Sequence, residues 1–227
     1  MAITISFANQ KGGPGKTTIL FCTAYALQLM MPRDRIGILD GDSQATLTNF
    51  YSQLASTIKP ALFLPKDDTG KLDLSENNIQ NAIKKAQSEC DVLFMDTPGK
   101  FDSSLIPFLC CSDIIITPFR VTSADLSTTI AFCNNFLPKV KQQHNLSFRC
   151  FMLANQVKKS SNQVKALTSL PALQDIQEKL GVYLFKAFLS DRIHYGGLPH
   201  TLPVIVEQED FIGYIKEFVN ILKNKQL

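Results

Sequence analysis

The apolar run Ile3-Thr4-Ile5-Ser6-Phe7-Ala8 leads almost directly into Lys11-Gly12-Gly13-Pro14-Gly15-Lys16-Thr17-Thr18. Strand, glycine loop and helix in that order commit the chain to an α/β fold with a seat for phosphate. A triphosphate needs several donors converging on its oxygens, and glycines let the main chain come close enough for backbone N–H groups to supply them. Gly12, Gly13 and Gly15 give that access. A helix beginning near Lys16 adds its positive end, Lys16 reaches the β/γ-phosphates, and the Thr17 hydroxyl can ligate Mg²⁺, with Thr18 beside it. A glycine-rich turn alone is often only a tight turn; glycines, Lys and Thr in this order after a strand are far more specific. The usual pattern has glycine at the position of Gln10, Lys11 is an additional cation inside the loop, and Pro14 removes one possible N–H donor.

Two more segments place carboxylates where such a site needs them. Arg35-Ile36-Gly37-Ile38-Leu39 reads as a buried strand ending in Asp40-Gly41-Asp42-Ser43-Gln44, and Asp91-Val92-Leu93-Phe94-Met95 as another ending in Asp96-Thr97-Pro98-Gly99. Ligands of an open parallel sheet bind beyond the carboxyl ends of its strands, so these acids should gather around the glycine loop. Helices are expected near 16–31, 76–89, 122–142, 161–180 and 208–224, and further strands near 113–117, 147–154 and 182–188. That alternation predicts a single α/β domain over 1–227, with a mostly parallel, doubly wound sheet and helices on both faces. Pro60, Pro65 and the polar run Lys66 to Lys71 mark an exposed excursion or a hairpin. Asn155-Gln156 ends a strand where it could meet adenine or simply make a turn.

In these three motifs the chain resembles the ParA/MinD family of deviant Walker ATPases, the signature-lysine P-loop proteins. Lys11 to Thr18, Leu39 to Gln44 and Val92 to Gly99 match in order and spacing, and Leu189 to Ile205 looks like the family's segment after the last core strand. Gly41 stands where the family more often has an aliphatic residue, Ser43 where it usually has proline, and Gly99 replaces a common second proline. The resemblance implies that Lys16 binds the β/γ-phosphates of ATP, Thr17 holds Mg²⁺ and Asp96 supports the metal through a water. It implies that Asp42 orients or deprotonates the attacking water and that Asp40 helps to organise Mg²⁺ and the loop lysine. Lys11 is expected to cross a homodimer interface to the partner's nucleotide, so that hydrolysis depends on dimerisation. Among the candidate nucleotide contacts are also Gly12, Gly13, Gly15, Thr18 and Asn155.

Composition narrows the remaining choices. The loop begins at Lys11, so the expectation is a short form with no N-terminal helix-turn-helix domain. No secretory signal or membrane-length apolar run is visible, which predicts a cytoplasmic protein. The six cysteines sit mostly in apolar segments and read as small buried hydrophobes of a reducing compartment; their spacing does not resemble the cluster ligands of the nitrogenase iron protein, which shares the phosphate loop. His144, His194 and His200 form no metal pattern.

Net charge is only +3, but no Asp or Glu occurs from Leu126 to Gln174, whereas Lys139, Lys141, Arg149, Lys158, Lys159 and Lys165 all do. This predicts one electropositive face suited to phosphate backbones, with Lys158, Lys159, Lys165 and Arg192 as candidate DNA contacts and Lys216 a possible extension. The last helix carries Phe211, Ile212, Ile215, Phe218, Val219 and Leu222 at helical spacing, a core stripe or, less simply, a membrane anchor of the MinD kind. The expected function is that of a ParA-type ATPase that dimerises on ATP, associates with the nucleoid through sequence-independent DNA binding, and partitions or positions a plasmid, mobile element or other cargo, stimulated by a ParB-like adaptor. A MinD-like ATPase at the membrane is the alternative. A biosynthetic relative such as a dethiobiotin synthetase is disfavoured by Lys11, and a bacterial tyrosine kinase by the lack of a tyrosine-rich tail.

Overall fold

The computed structural model describes residues 2–10, 13–99, 103–158, 162–164, 167, 178, 181–191 and 197–223. In chain order the elements are β1 (Ile3–Phe7), α1 (Lys16–Met30), β2 (Ile36–Asp40), α2 (Thr46–Gln53), β3 (Ala61–Phe63), α3 (Glu76–Glu89), β4 (Val92–Asp96) and, after a single 3₁₀ turn, α4 (Ile106–Cys110). There follow β5 (Ile114–Arg120), α5 (Ser123–Ala131), a π-helical turn (Phe132–Phe136), α6 (Leu137–His144), β6 (Arg149–Asn155), β7 (Val182–Leu184), α7 (Leu202–Val206) and α8 (Glu209–Lys223). The strands form one seven-stranded sheet in the order β3-β2-β4-β1-β5-β6-β7, and every neighbouring pair is parallel.

Burial on both faces explains why these strands read as continuous apolar runs. β2 and β4 are buried at every position. Along β4, Val92 and Phe94 join the core under α1 and α8, while Leu93 and Met95 join the one under α3 and α4, as the two-residue period of a strand requires. α3 buries Ile79, Ala82, Ile83 and Ala86, one stripe at helical spacing. The apolar stripe of α8 is mostly core: Phe211, Ile215, Phe218 and Leu222 are buried with Tyr214 and Val219 packs part-exposed beside them, while Ile212 stays 38% exposed. Among the described residues no helix is long and apolar enough to cross a membrane.

Departures from the sequence reading have local causes. The helix expected over 122–142 is broken into α5 and α6 by the π turn, because Pro138 cannot donate to the carbonyl four residues back and its ring crowds that carbonyl. The excursion after Pro60 contains β3, which pairs in parallel with β2, and an antiparallel bridge between Lys66 and Leu72. Asp67 organises that turn by accepting hydrogen bonds from the N–H groups of Thr69 and Lys71. α2, α4 and α7 escaped the pattern because each is at most eight residues long. Most of the helix expected over 161–180 lies outside the described residues.

Register brings the acids together. Phe7, the last residue of β1, pairs with Asp96, and Asp96 pairs on its other side with Asp40. All three strands therefore end level beside the glycine loop, at the carboxyl ends of the strands, where open parallel sheets bind ligands.

Candidate functional site

α1 begins at Lys16 directly after Gly15, which acts as its N-cap with φ 90° and provides no capping side chain. Its first turn contains no acidic residue, so its unpaired N–H groups and positive end are left for an anion. Gly13 also has positive φ, and a Cβ added there would meet nothing within 4 Å: the loop is open where a phosphate would approach. Behind the loop, a Cβ on Gly15 would lie 2.5 Å from Nδ2 of Asn155. That nitrogen donates to the Pro14 carbonyl at 2.9 Å. Asn155, which could meet adenine or simply make a turn, is 4% exposed and braces the phosphate loop. Lys11 and Gly12 lie outside the described residues; Thr18 is half-buried in the first turn of α1.

Lys16 is buried, and loss of hydration pushes its ammonium below the usual lysine range while Asp96 and then Asp42 pull it back up. The Thr17 hydroxyl donates to Oδ2 of Asp96 at 2.7 Å. Asp96 is fully buried, and its Oδ1 has no hydrogen-bond partner. Burial pushes the Asp96 carboxyl up to about 7 against the opposing Thr17 hydrogen bond; the charge of Asp40 pushes the same way, Lys16 opposes it and Asp42 adds a little. Asp42 is half-exposed at the rim, with Oδ1 accepting from the Gln44 N–H at 3.0 Å. Oδ2 of Asp42 and Nζ of Lys16 each lie 3.9 Å from the point where Gly99 would carry a Cβ, so both border that glycine.

These residues fit a Mg²⁺–triphosphate. A buried carboxylate oxygen without a partner, next to a hydroxyl, supplies the hard oxygen donors that Mg²⁺ takes, and Mg²⁺ completes its shell with water and phosphate rather than with a protein cage. Among the described residues no group of three or more His, Cys, Asp or Glu could hold a metal alone, consistent with a site completed by the nucleotide. Thr17 and Asp96 are the residues that would hold the ion. Asp40, expected in the metal set, already has both oxygens engaged by the chain: Oδ1 by the Asp42 N–H, Oδ2 by the N–H and hydroxyl of Thr48.

The family model of the ATPase MipZ matches residues 3–163, the span that contains all of these groups. The chain belongs to the MipZ family of ATPases. It is 27% identical over 201 residues to the maintenance of carboxysome distribution protein A of Halothiobacillus neapolitanus, an alignment covering 86% of this chain and 82% of that protein. The structure of pNOB8 ParA superposes with a TM-score of 0.72 at 19% identity, covering 99% of this chain and all of that one. Aquifex aeolicus MinD gives 0.65 at 13% identity over 98% of each chain. This MipZ-family chain therefore has the ParA/MinD-like P-loop ATPase fold.

At Gly41, a departure from the family pattern, this ATPase is tightly packed. A Cβ on Gly41 would lie 2.2 Å from Cζ of the buried Phe108 ring and 2.8 Å from the Asp96 carbonyl oxygen, to which the Gly41 N–H donates at 3.0 Å. The ring of α4 occupies the space of the missing side chain and links the turns after β2 and β4. Gly41→Ala is expected to destabilise the chain by about 1–3 kcal/mol, with Phe108→Leu restoring only part because the carbonyl clash persists. Urea denaturation checks this, and an unchanged midpoint for Gly41→Ala would dispose of the packing argument.

Among the described residues of the basic span, the cations lie toward both ends of β6. Arg149 opens β6 and Lys158 follows its end, so about six strand steps, roughly 20 Å, separate them at opposite ends of that strand. The ammonium of Lys141 sits over the Phe148 ring at 4.6 Å and the guanidinium of Arg149 over Phe151 at 5.0 Å, both near the start of β6, the end away from the phosphate loop. Lys158 is exposed at the loop edge; Lys159, Lys165 and Arg192 lie outside the described residues.

Proposed function

We propose that this chain is a ParA-type ATPase that partitions or positions a cargo: it closes into a two-fold homodimer on ATP, binds DNA of any sequence in that state, and is reset by hydrolysis that a ParB-like adaptor stimulates. The observation that carries the reading is the buried Lys16–Thr17–Asp96 cluster under an open, uncapped helix N-terminus, with Asp42 at its rim.

In this reading the N–H groups of the loop and of α1 bind the triphosphate, and Lys16 neutralises its β/γ oxygens. Thr17 and Asp96 hold Mg²⁺, which when bound offsets phosphate charge and orients the γ-group. Asp42, exposed enough to reach water, positions the attacking molecule for in-line displacement. Asp40 and Asn155 fix the two loops from behind. Lys11 of each copy contacts the nucleotide of the other, which couples turnover to dimerisation. The cargo reading draws support from the carboxysome distribution protein, and the DNA reading from pNOB8 ParA, a relative in fold whose structure was solved bound to nonspecific DNA. Lys158, with Lys159, Lys165 and Arg192, is the candidate DNA surface, which would make the protein a nucleoid-associated one of the cytoplasm. The MinD-like membrane reading draws no support from α8, whose residues Phe211, Tyr214, Ile215, Phe218 and Leu222 pack into the core.

The test uses Asp42→Ala, which is expected to bind ATP and Mg²⁺ normally, hydrolyse at least about a hundredfold more slowly, and accumulate as dimer on size-exclusion chromatography. With ATP, that dimer should bind random-sequence duplex DNA with affinity falling steeply as salt rises. Binding to anionic vesicles but not to DNA would reject the partition reading. An Asp42→Ala variant with wild-type turnover would move the hydrolytic role elsewhere.

A further inference from the structure

α2 lacks a cap of its own. The residue before it, Ala45, lies in the left-handed region at φ 50° and ψ 31° and offers no side-chain acceptor. Of its eight residues only Leu47 is fully buried, while Phe50 and Tyr51 pack part-exposed against the core, so a helix this short gains from every hydrogen bond at its start. The acceptor comes from another element. Thr48, the third residue of α2, donates its N–H (2.9 Å) and its hydroxyl (2.6 Å) to Oδ2 of Asp40 at the end of β2. An N-cap side chain ordinarily does this for the third helical N–H.

The same carboxylate reaches the catalytic turn. Oδ1 of Asp40 accepts from the Asp42 N–H at 3.2 Å, and Asp42 closes the turn by accepting from the N–H groups of Gln44, at its side chain, and Ala45, at its carbonyl. One carboxylate therefore ties together the end of β2, the turn over 42–45 and the first turn of α2. A left-handed alanine is a conformation that persists only where its surroundings over-determine it, and this clamp does so.

We propose that Thr48 is a positioning residue for hydrolysis: through Asp40 it fixes the backbone from which Asp42 reaches the attacking water, without itself touching nucleotide. The proposal rests on the reading of Asp42 as the water-positioning group. With the hydroxyl gone, Asp40 loses the shortest of its three hydrogen bonds and is held by one N–H on each oxygen, so the carboxylate, and with it the Asp42 backbone, is fixed less firmly. Misplacement of a reacting group by about 1 Å is enough to slow a reaction about a hundredfold.

The experiment measures ATP turnover by the full chain over a range of ATP concentrations, with ATP affinity measured separately by calorimetry, for wild type, Thr48→Val and Thr48→Ser. Thr48→Val is expected to lower kcat about ten- to a hundredfold while KM and ATP affinity stay within about twofold, and Thr48→Ser, which keeps the hydroxyl, should restore kcat. Wild-type kcat in Thr48→Val, equal impairment of Thr48→Val and Thr48→Ser, or a fall in ATP affinity that matches the fall in kcat each overturn the proposal. Thr48→Ala, which adds no methyl bulk, replaces Thr48→Val if the valine variant does not fold. A wild-type chain that binds but never hydrolyses ATP overturns the hydrolytic reading as a whole; wild-type turnover beside an indifferent Thr48→Val overturns this proposal alone.

Discussion

Lys16→Gln is expected to weaken Mg²⁺–ATP binding by about 2–5 kcal/mol, roughly thirty- to several-thousandfold, because a buried cation facing a charged partner is removed and nothing replaces it. The loop N–H groups alone cannot neutralise a triphosphate. The ligand-free chain should remain folded, since Lys16 already bears the strain of burial: desolvation outweighs the pull of Asp96 and Asp42 on its ammonium. Dimerisation on ATP should disappear with binding. Titration calorimetry reads the affinity and circular dichroism the fold. ATP affinity close to wild type in a folded Lys16→Gln chain would remove the nucleotide from this site altogether.

Asp96→Asn should separate stability from activity. Folded, the Asp96 carboxyl keeps its proton up to about pH 7 because it is buried; unfolded, it loses the proton near pH 4. Between those values the folded chain carries more protons than the unfolded one, so this group makes stability fall as pH rises from about 4 through about 7, and the deficit, about 4 kcal/mol, is complete near pH 8. Asparagine does not titrate. Ligand-free Asp96→Asn should therefore lose stability much less steeply across that window than wild type does, while ATP turnover collapses for want of the carboxylate beside Thr17. Urea denaturation at pH 5 and pH 8 without nucleotide measures the difference. An equal pH dependence in both proteins would show that Asp96 is not the buried acid described.

What the sequence by itself determined is the chemistry that one segment can specify alone. A glycine loop between a strand and a helix needs only its own backbone angles to present N–H groups, so Gly13, Gly15, Lys16 and Thr17 were legible without knowledge of the rest. Apolar runs ending in Asp40 and Asp96 were legible for a similar reason, because strands buried on both faces leave the pattern of a parallel sheet, and such sheets bind at their carboxyl ends.

The tertiary structure decided whatever depends on which strands are neighbours and in what register. Asn155 is 141 residues from Pro14 in sequence, and only the order β1-β5-β6 sets its amide behind the loop. Gly41 read as a departure from the family pattern until Phe108 of α4 was found in the space beside it. Arg149 and Lys158 are close in sequence, yet β6 carries them to its opposite ends, about six strand steps apart, which no local pattern announces. The clamp of Asp40 on Thr48 left no signal because a cap borrowed from a neighbouring strand looks, in sequence, like a helix with no cap. Local dihedral preference fixed where phosphate can bind; packing and register fixed which side chains hold that place rigid.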